Sequence, residues 1–516
     1  MSDSVQLVRG RWVFTGKGVL ADGAIALQGD TIIEVGAWQR LRDHYPDAPV
    51  SGSPEHTVLP GFVNAHHHSN GVANSLLGIK DDFLELWLYS RGAARSQDTT
   101  LSTLLSAALL LKSGVTSVVD VSSLGGSADA SQVALQNQLN AYEQAGIRVA
   151  LAPGAKYDSF LVHGEGQDAA FLASLPVSLQ KQIQALTPPQ QGLAAEDYLE
   201  IISEAAERYQ KHPHIDVWFG PPGPQWVGDA LLLKIVEAAE RLDTGVQTHV
   251  MESLPEKLMG PRFYGQSVIA HLRSLGVLSP RFSMAHGVWV SENDIEILAE
   301  TGAAISHNPS SNLRLRAGVA PLTQLLAGGV TMGLGMDGTT LNDDEDMFTE
   351  MRLAARLQRS PQMESPAPTL TEIFRLATTG GAKLLRKEHS IGKLAVGYKA
   401  DVVLVKCDRM TWPYLAPEAD PLRVVMMRAR SADVDMVLVN GRVVLEDGEP
   451  TGFDMRSLGE KIAMQLAAAP DRAAHRSLAK AVRPYLANWY ANWQVPELQP
   501  FAAFNHARDQ VGVSNK

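Results

Sequence analysis

The chain has 516 residues, of which 45% are hydrophobic, 20% charged and 6% aromatic. That balance excludes disordered and fibrous classes and leaves ample length for a large core. Lys and Arg total 45 against 56 Asp and Glu, a net charge of −11 with no basic block, so the surface repels nucleic-acid phosphates and anionic lipid.

The one cysteine, Cys407, excludes an internal disulfide and a multi-thiolate zinc site, and suits a reducing, cytoplasmic setting. The longest apolar stretch, around Leu104 to Leu111, is far short of the ~20 residues of a bilayer span. The N-terminal residues show no signal-peptide pattern.

Residues 1-60 alternate apolar and polar positions, as in Ala24 to Val35 with Gly29-Asp30 as a turn, and predict a small β unit. From 61 to 385, short apolar strands alternate with helical patterns, the signature of repeated βα units. The strand candidates are Phe62 to Asn64, Thr116 to Val121, Arg148 to Leu151, Val217 to Phe219, Val246 to Thr248, Phe282 to Met284, Ala303 to Ser306 and Thr331 to Gly335. Eight parallel strands predict a closed (β/α)8 TIM barrel.

One connecting helix carries Leu231, Leu232, Ile235, Val236, Ala239 and Leu242 on a single stripe and is expected to stop at Gly245. Residues 386-452 return to strand character in Ala400 to Val405 and Val434 to Val439, where Asn440-Gly441 predicts a hairpin. Together with 1-60 they predict a small β-sandwich domain built from both ends of the chain. Residues 453-516 read as a helical C-terminal extension, with Leu486, Trp489 and Trp493 packed on the barrel or on a neighbouring subunit.

Barrel enzymes place working groups at the C-terminal ends of their strands. Strand one ends in Asn64-Ala65-His66-His67-His68, and in an extended backbone His66 and His68 point one way while His67 faces elsewhere. His249, His286, His307 and Asp337 follow strands five to eight. One such histidine is more often a hydrogen-bonded structural residue; a set repeated on strand after strand favours a metal site.

His66, His68, His249 and Asp337 can hold one divalent metal, Zn²⁺ or Fe²⁺, with a position left for water. Asp337 would also receive the proton that the water loses, and His286 would steady the resulting hydroxide. Glu252, three residues after His249, is placed for an acid/base shuttle that protonates a ring nitrogen and then a leaving amine.

These residues resemble the amidohydrolase superfamily, closest to its branch of triazine hydrolases, cytosine and guanine deaminases and S-adenosylhomocysteine deaminases. The motifs are Leu59-Pro-Gly-Phe-Val-Asn-Ala-His-His-His68, Thr248-His-Val-Met-Glu252, Met284-Ala-His-Gly287, Ser306-His-Asn-Pro-Ser-Ser-Asn-Leu313 and Gly335-Met-Asp-Gly338, with Ile391 to Asp401 and Val439-Asn-Gly441 resembling the closing sheet domain. The resemblance implies a (β/α)8 barrel, one metal on His66, His68, His249 and Asp337, and catalysis by Glu252, His286 and Asp337. Two-metal members carry a lysine after strand four; Phe219 to Gln225 has none. Lys156, after strand three, reads as structural. Nucleobase-specific relatives commonly carry a histidine in the turn after strand four, where this chain has Pro221 to Trp226.

The expected activity is a metal-dependent aminohydrolase attacking a ring amidine C–N bond of a small heterocycle with metal-bound hydroxide. Using the same site, a chlorohydrolase or an amide, urea or thiocarbamate hydrolase is the alternative, and an inactive structural protein on a hydrolase fold is the alternative from another class. Trp87, Tyr89, Tyr157, Gln225, Trp226, His307, Asn308 and Arg314 are the substrate-pocket candidates, with core packing or ion pairing as the competing role for each aromatic and for Arg314. A homodimer or higher homo-oligomer is expected, without nucleic-acid or membrane partners.

Overall fold

The N-terminal strands are β1 (Val5–Thr15), β2 (Gly18–Gln28), β3 (Thr31–Ala37) and β4 (Val50–Pro60). The β2–β3 connection is the predicted turn at Gly29-Asp30. The computed structural model describes residues 4–186, 192–495, 497–499 and 501; residues 502–516 of the predicted extension lie outside them.

The next strands are β5 (Phe62–His67), β6 (Val115–Ser123), β7 (Arg148–Gly154) and β8 (Ile215–Val217), followed by β9 (Val246–Val250), β10 (Phe282–His286), β11 (Ala304–His307) and β12 (Thr331–Leu334). They pair in parallel as two four-stranded sheets, β5-β6-β7-β8 and β9-β10-β11-β12. Single parallel bridges join the sheets at both seams, Phe219 with Val246 and His67 with Asp337. The protein is therefore a (β/α)8 barrel. The second seam sets the site directly, because the Asp337 N–H donates to the His66 carbonyl at 2.9 Å.

Strands β13 (Val402–Lys406), β14 (Val434–Val439), β15 (Arg442–Glu446) and β16 (Glu449–Pro450) join β1–β4 in one eight-stranded sheet, ordered β16-β15-β14-β13-β4-β1-β2-β3. Asn440 and Gly441 both take positive φ in the β14–β15 turn, the conformation that a two-residue hairpin of this kind requires. Arg148 of β7 ties the sheet to the barrel. Fully buried, it pairs with Asp401, bonds Asn440 and donates to Ser117 Oγ at 3.1 Å.

The helix after β8 departs from expectation at its end. It runs Asp229–Arg241 with Leu231, Leu232, Ile235, Ala238 and Ala239 buried, and the chain leaves it at Asp243, whose φ is +53°, rather than at Gly245. Gly245 is required for another reason: a Cβ there would lie 2.4 Å from the Trp218 ring.

The C-terminal extension forms helices Met455–Ala468 and Ala473–Ala491. The second packs against Leu84–Gly92 and Val177–Leu186 of its own chain, burying Leu486 and, just beyond the helix, Trp493. Arg483 pairs with Asp82, and Arg95 donates to the carbonyls of Leu466 and Ala469 at 2.8 and 3.0 Å.

Replacing Asp401 by Ala leaves the buried Arg148 charge without its partner and should destabilise the fold by about 3–5 kcal/mol. The part-exposed Lys399–Asp30 pair is the control, since Asp30→Ala should cost less than about 1 kcal/mol. Thermal unfolding midpoints of the two variants would show the difference, and equal shifts would contradict the assignment.

Candidate active site

Four imidazoles, from the ends of β5, β9 and β10, face a common space above the barrel. His68 Nε2 lies 3.2 Å from His249 Nε2 and 3.3 Å from Asp337 Oδ1. His66 Nε2 is 3.7 Å from Asp337 Oδ1, and His286 Nε2 is 3.7 Å from Asp337 Oδ2 and 3.5 Å from Glu252 Oε2. Two groups meet the spacing of a metal site, His66 with His68 and His249, and His66 with His286 and Asp337. His67 points away, with Nε2 2.7 Å from Ser106 Oγ.

What turns the rings inward is the bond each makes at Nδ1. His68 donates to the Val121 carbonyl at 2.6 Å and His249 to the Pro222 carbonyl at 2.7 Å. Neither oxygen can donate, so the proton sits on Nδ1 and the Nε2 lone pair is free. His66 Nδ1 meets Gln247 Oε1 at 2.9 Å, an orientation fixed because Gln247 Nε2 donates to the Ala65 carbonyl at 2.9 Å. His286 Nδ1 lies 2.9 Å from Asn312 Oδ1, with Asn308 Nδ2 further off at 3.3 Å. The Nε2 atoms of His66 and His286 are buried with no hydrogen-bond partner among the described residues. Such orphaned acceptors, aimed at one carboxylate, fit a divalent cation.

Electrostatics favours the ligand forms. Burial pushes His66, His249 and His286 down, His249 to about 3 with help from His68 and His286, which favours the unprotonated form of these three rings. Although burial pushes Asp337 up, the surrounding His66, His68 and His286 outweigh it and hold the carboxyl well below the usual range. Glu252 moves the other way: burial, then Asp337, Glu256 and Glu85, raise it well above an ordinary glutamate.

Backbone strain is concentrated here. His286, Asp337 and Met251, which precedes Glu252, have φ of +80°, +55° and +58°, each costing about 1–3 kcal/mol. Gly335 is needed for closeness, since a Cβ would stand 2.3 Å from Asn308 Oδ1.

The pocket candidates divide. Tyr89, Tyr157 and Trp226 line a cavity of about 970 Å³. Trp87 is buried with Ile79, Leu84 and Leu315, and Arg314 is engaged by Asp81 and Asp343. Gln225 is buried with Oε1 unpaired among the described residues, and His307 is buried with both ring nitrogens unpaired. Asn308 holds Ser306 Oγ at 2.9 Å beside His286. Sequence reasoning missed Gln247, Asn312, Glu256 and Glu85. Two carried a signal: Gln247 shares a strand face with His249 two residues on, and Asn312 is four residues beyond Asn308 on the helix Pro309–Arg314 and its cap.

The model of the amidohydrolase family matches residues 57–444, and that of a bacterial imidazolonepropionase-like composite domain matches 23–48. The chain belongs to the amidohydrolase family. It is a hydrolase of carbon–nitrogen bonds other than peptide bonds. A 5-methylthioadenosine/S-adenosylhomocysteine deaminase of Pelotomaculum thermopropionicum is 30% identical over 87% of this chain and 95% of its own. A 5′-deoxyadenosine deaminase of Methanothermobacter thermautotrophicus is 29% identical over 88% and 95%. Among solved structures, a zinc-bound adenosine deaminase from Xanthomonas campestris superposes with a TM-score of 0.75 at 25% identity, covering 89% of this chain and 97% of that one. A zinc complex of an atrazine chlorohydrolase from Arthrobacter aurescens shares the fold, with a TM-score of 0.72 at 23% identity over 89% and 99%. Among the described residues no helix is long and apolar enough to cross a membrane.

If the converging donors form one closed set, purified protein should carry about one equivalent of transition metal per chain. His68→Ala and His249→Ala should each lower it at least about tenfold in affinity, read by metal analysis after dialysis against a weak chelator. Retention of a full equivalent by the double variant would place the metal elsewhere.

Proposed function

We propose that the protein is a hydrolytic deaminase that removes an amino or alkylamino group from a ring amidine carbon of an N-heterocycle, with one divalent cation on His66, His68, His249 and Asp337. The observation that carries this reading is the convergence of neutral imidazole acceptors on an anionic Asp337, beside a buried carboxyl pushed the opposite way, Glu252. Two carboxyl groups driven apart in acidity mark an acid and a base.

When bound, the cation supplies Lewis acidity, lowering the pKa of water towards ~7 and stabilising negative charge on oxygen. Zn²⁺ fits the nitrogen-rich donor set best and Fe²⁺ also fits it. The remaining work falls to the chain. Asp337 Oδ2 and His286 Nε2 hold the attacking water on one side of the ring carbon and fix its direction. Glu252, with Oε2 3.5 Å from His286 Nε2, gives its proton to the ring nitrogen, which makes the neighbouring carbon electrophilic. Asp337 takes one proton of the attacking water; Glu252 takes the second and passes it to the departing amine as the ring carbonyl forms, and the proton left on Asp337 returns to Glu252 to complete the cycle.

The names of the two relatives support an adenine-type 6-aminopurine as the first ring to test. Gln225, with its buried unpaired Oε1, offers an acceptor for a ring N–H in the turn where nucleobase-specific relatives commonly have histidine. The same reading includes a cytoplasmic homodimer; the buried free thiol of Cys407 supports a reducing compartment, and the dimer rests on the family resemblance.

Glu252→Gln keeps the shape and removes the proton. On an amino-substituted ring, kcat should fall by about 10²–10⁴, whereas a chloro-substituted version of the same ring, whose leaving group takes no proton, should lose less. Ammonia and chloride release measured side by side would decide it, and equal retention on both rings would remove Glu252 from the shuttle role.

A further inference from the structure

The cavity of about 970 Å³ is not lined by the four metal-donor candidates, but it borders them at two places. Glu85 in its wall accepts a hydrogen bond from Ser253, the residue after Glu252. Trp226 in its wall follows the turn whose Pro222 carbonyl holds His249. Part of the cavity wall comes from the C-terminal extension, with Arg472, His475 and Tyr490 among its residues. Tyr490 Oη accepts from the His163 backbone N–H at 3.0 Å, locking the extension to the loop that carries Lys156. The amidohydrolase match ends at residue 444, so this wall lies beyond the matched region.

The charges around the cavity are unequally satisfied. Asp168 spends its oxygens on the N–H groups of Phe160, Leu161 and Val162, at 2.7, 2.9 and 3.0 Å. Glu85 is taken by Ser253 and by His163, 3.2 Å away. The cations have no such partners. Lys156 Nζ sits 3.9 Å over the Trp226 ring and forms no ion pair among the described residues. Arg472 has Nε buried and unpaired, and its neighbour Asp471 is already engaged by Arg476 at 2.5 Å. Two unpaired cations on one partly apolar cavity make a site for an anion.

We propose that the C-terminal extension completes a binding site for an anionic substituent of the substrate, a carboxylate or a phosphate, held by Lys156 and Arg472. This rests on the deaminase reading for the ring and adds the part of the molecule that the ring carries. It also replaces the structural role expected of Lys156 from sequence. Burial depresses the Lys156 ammonium to about 8, against the opposing pull of Asp168, and a bound anion would restore its charge. Lys156 lies over the Trp226 ring, and Trp226 follows the turn whose Pro222 carbonyl holds His249, so this one side chain links the cation to the reactive site.

The test uses the metal-loaded full chain and three adenines that differ only at N9: a neutral alkyl chain, a carboxyalkyl chain and a phosphonoalkyl chain of equal length. Calorimetry reads binding and ammonia release reads turnover. One of the anionic compounds should bind at least tenfold tighter than the neutral one, about 1.4 kcal/mol, and whichever it is identifies the group. Lys156→Met and Arg472→Gln should each shrink that ratio towards one, while Arg472→Lys should keep most of it. Equal affinity of wild type for all three compounds, or an undiminished ratio in the Lys156→Met/Arg472→Gln double variant, would overturn the proposal. Ammonia release with no anionic preference would leave the deaminase reading standing and remove this site. Anionic preference with no ammonia from any compound would do the reverse.

Discussion

Each imidazole of the site is held by an oxygen at Nδ1 and left bare at Nε2, and the rest of the architecture depends on that asymmetry. Four rings, two buried and two half-buried, would be expensive to maintain without partners at the rim of a barrel core. Here one nitrogen of each is satisfied by the protein, by Val121 and Pro222 carbonyls for His68 and His249 and by amide oxygens for His66 and His286. The other nitrogen keeps a lone pair aimed at a shared volume. The strained backbone at His286 and Asp337 serves the same end, because an ordinary extended conformation would carry these side chains along the strand instead of into the centre.

The barrel supplies what the strain requires. The β5–β12 seam is a backbone bridge between His67 and Asp337, so the carboxylate and the first histidine pair are fixed by the same hydrogen bond that closes the ring of strands. A shift of register at this seam would move Asp337 relative to His66 and His68 together. Fold closure and site geometry are in this sense a single constraint, which is why stability and metal affinity should respond together to changes at the seam.

Much of this was legible in the residues. Apolar runs located the barrel strands, and alternation along an extended backbone separated His66 and His68 from His67 before any coordinates. The orienting groups were harder to read. Val121 and Pro222 act through backbone carbonyls, which carry no residue identity, and Asn312 reaches His286 only because a helical turn brings it there. The stop at Asp243 rather than Gly245 has a similar cause: glycine is a good terminator in isolation, but here Gly245 is needed for the close approach of the Trp218 ring, just past β8. The stripe of the extension announced a buried face and said nothing about which surface covers it; that surface is its own barrel, and the same helix brings Arg472 to the cavity.

The acidic groups show how one fold can separate binding from chemistry. Glu85, Glu252 and Glu256 are buried near one another, and Glu252 and Glu256 are both raised, first by burial. Only Glu252 faces His286. Glu256 is turned to the Glu252 backbone, accepting its N–H at 2.8 Å, and Glu85 to Ser253 and His163. Three carboxyls therefore differ by position: one faces His286 and is the proton carrier of the proposed mechanism, one fixes the loop that carries it, and one forms the border with the cavity. Glu85 is bonded by Ser253 and His163 and Glu256 holds the Glu252 N–H through Oε2, whereas Lys156 and Arg472 form no ion pair among the described residues, which favours an anion in the space beyond.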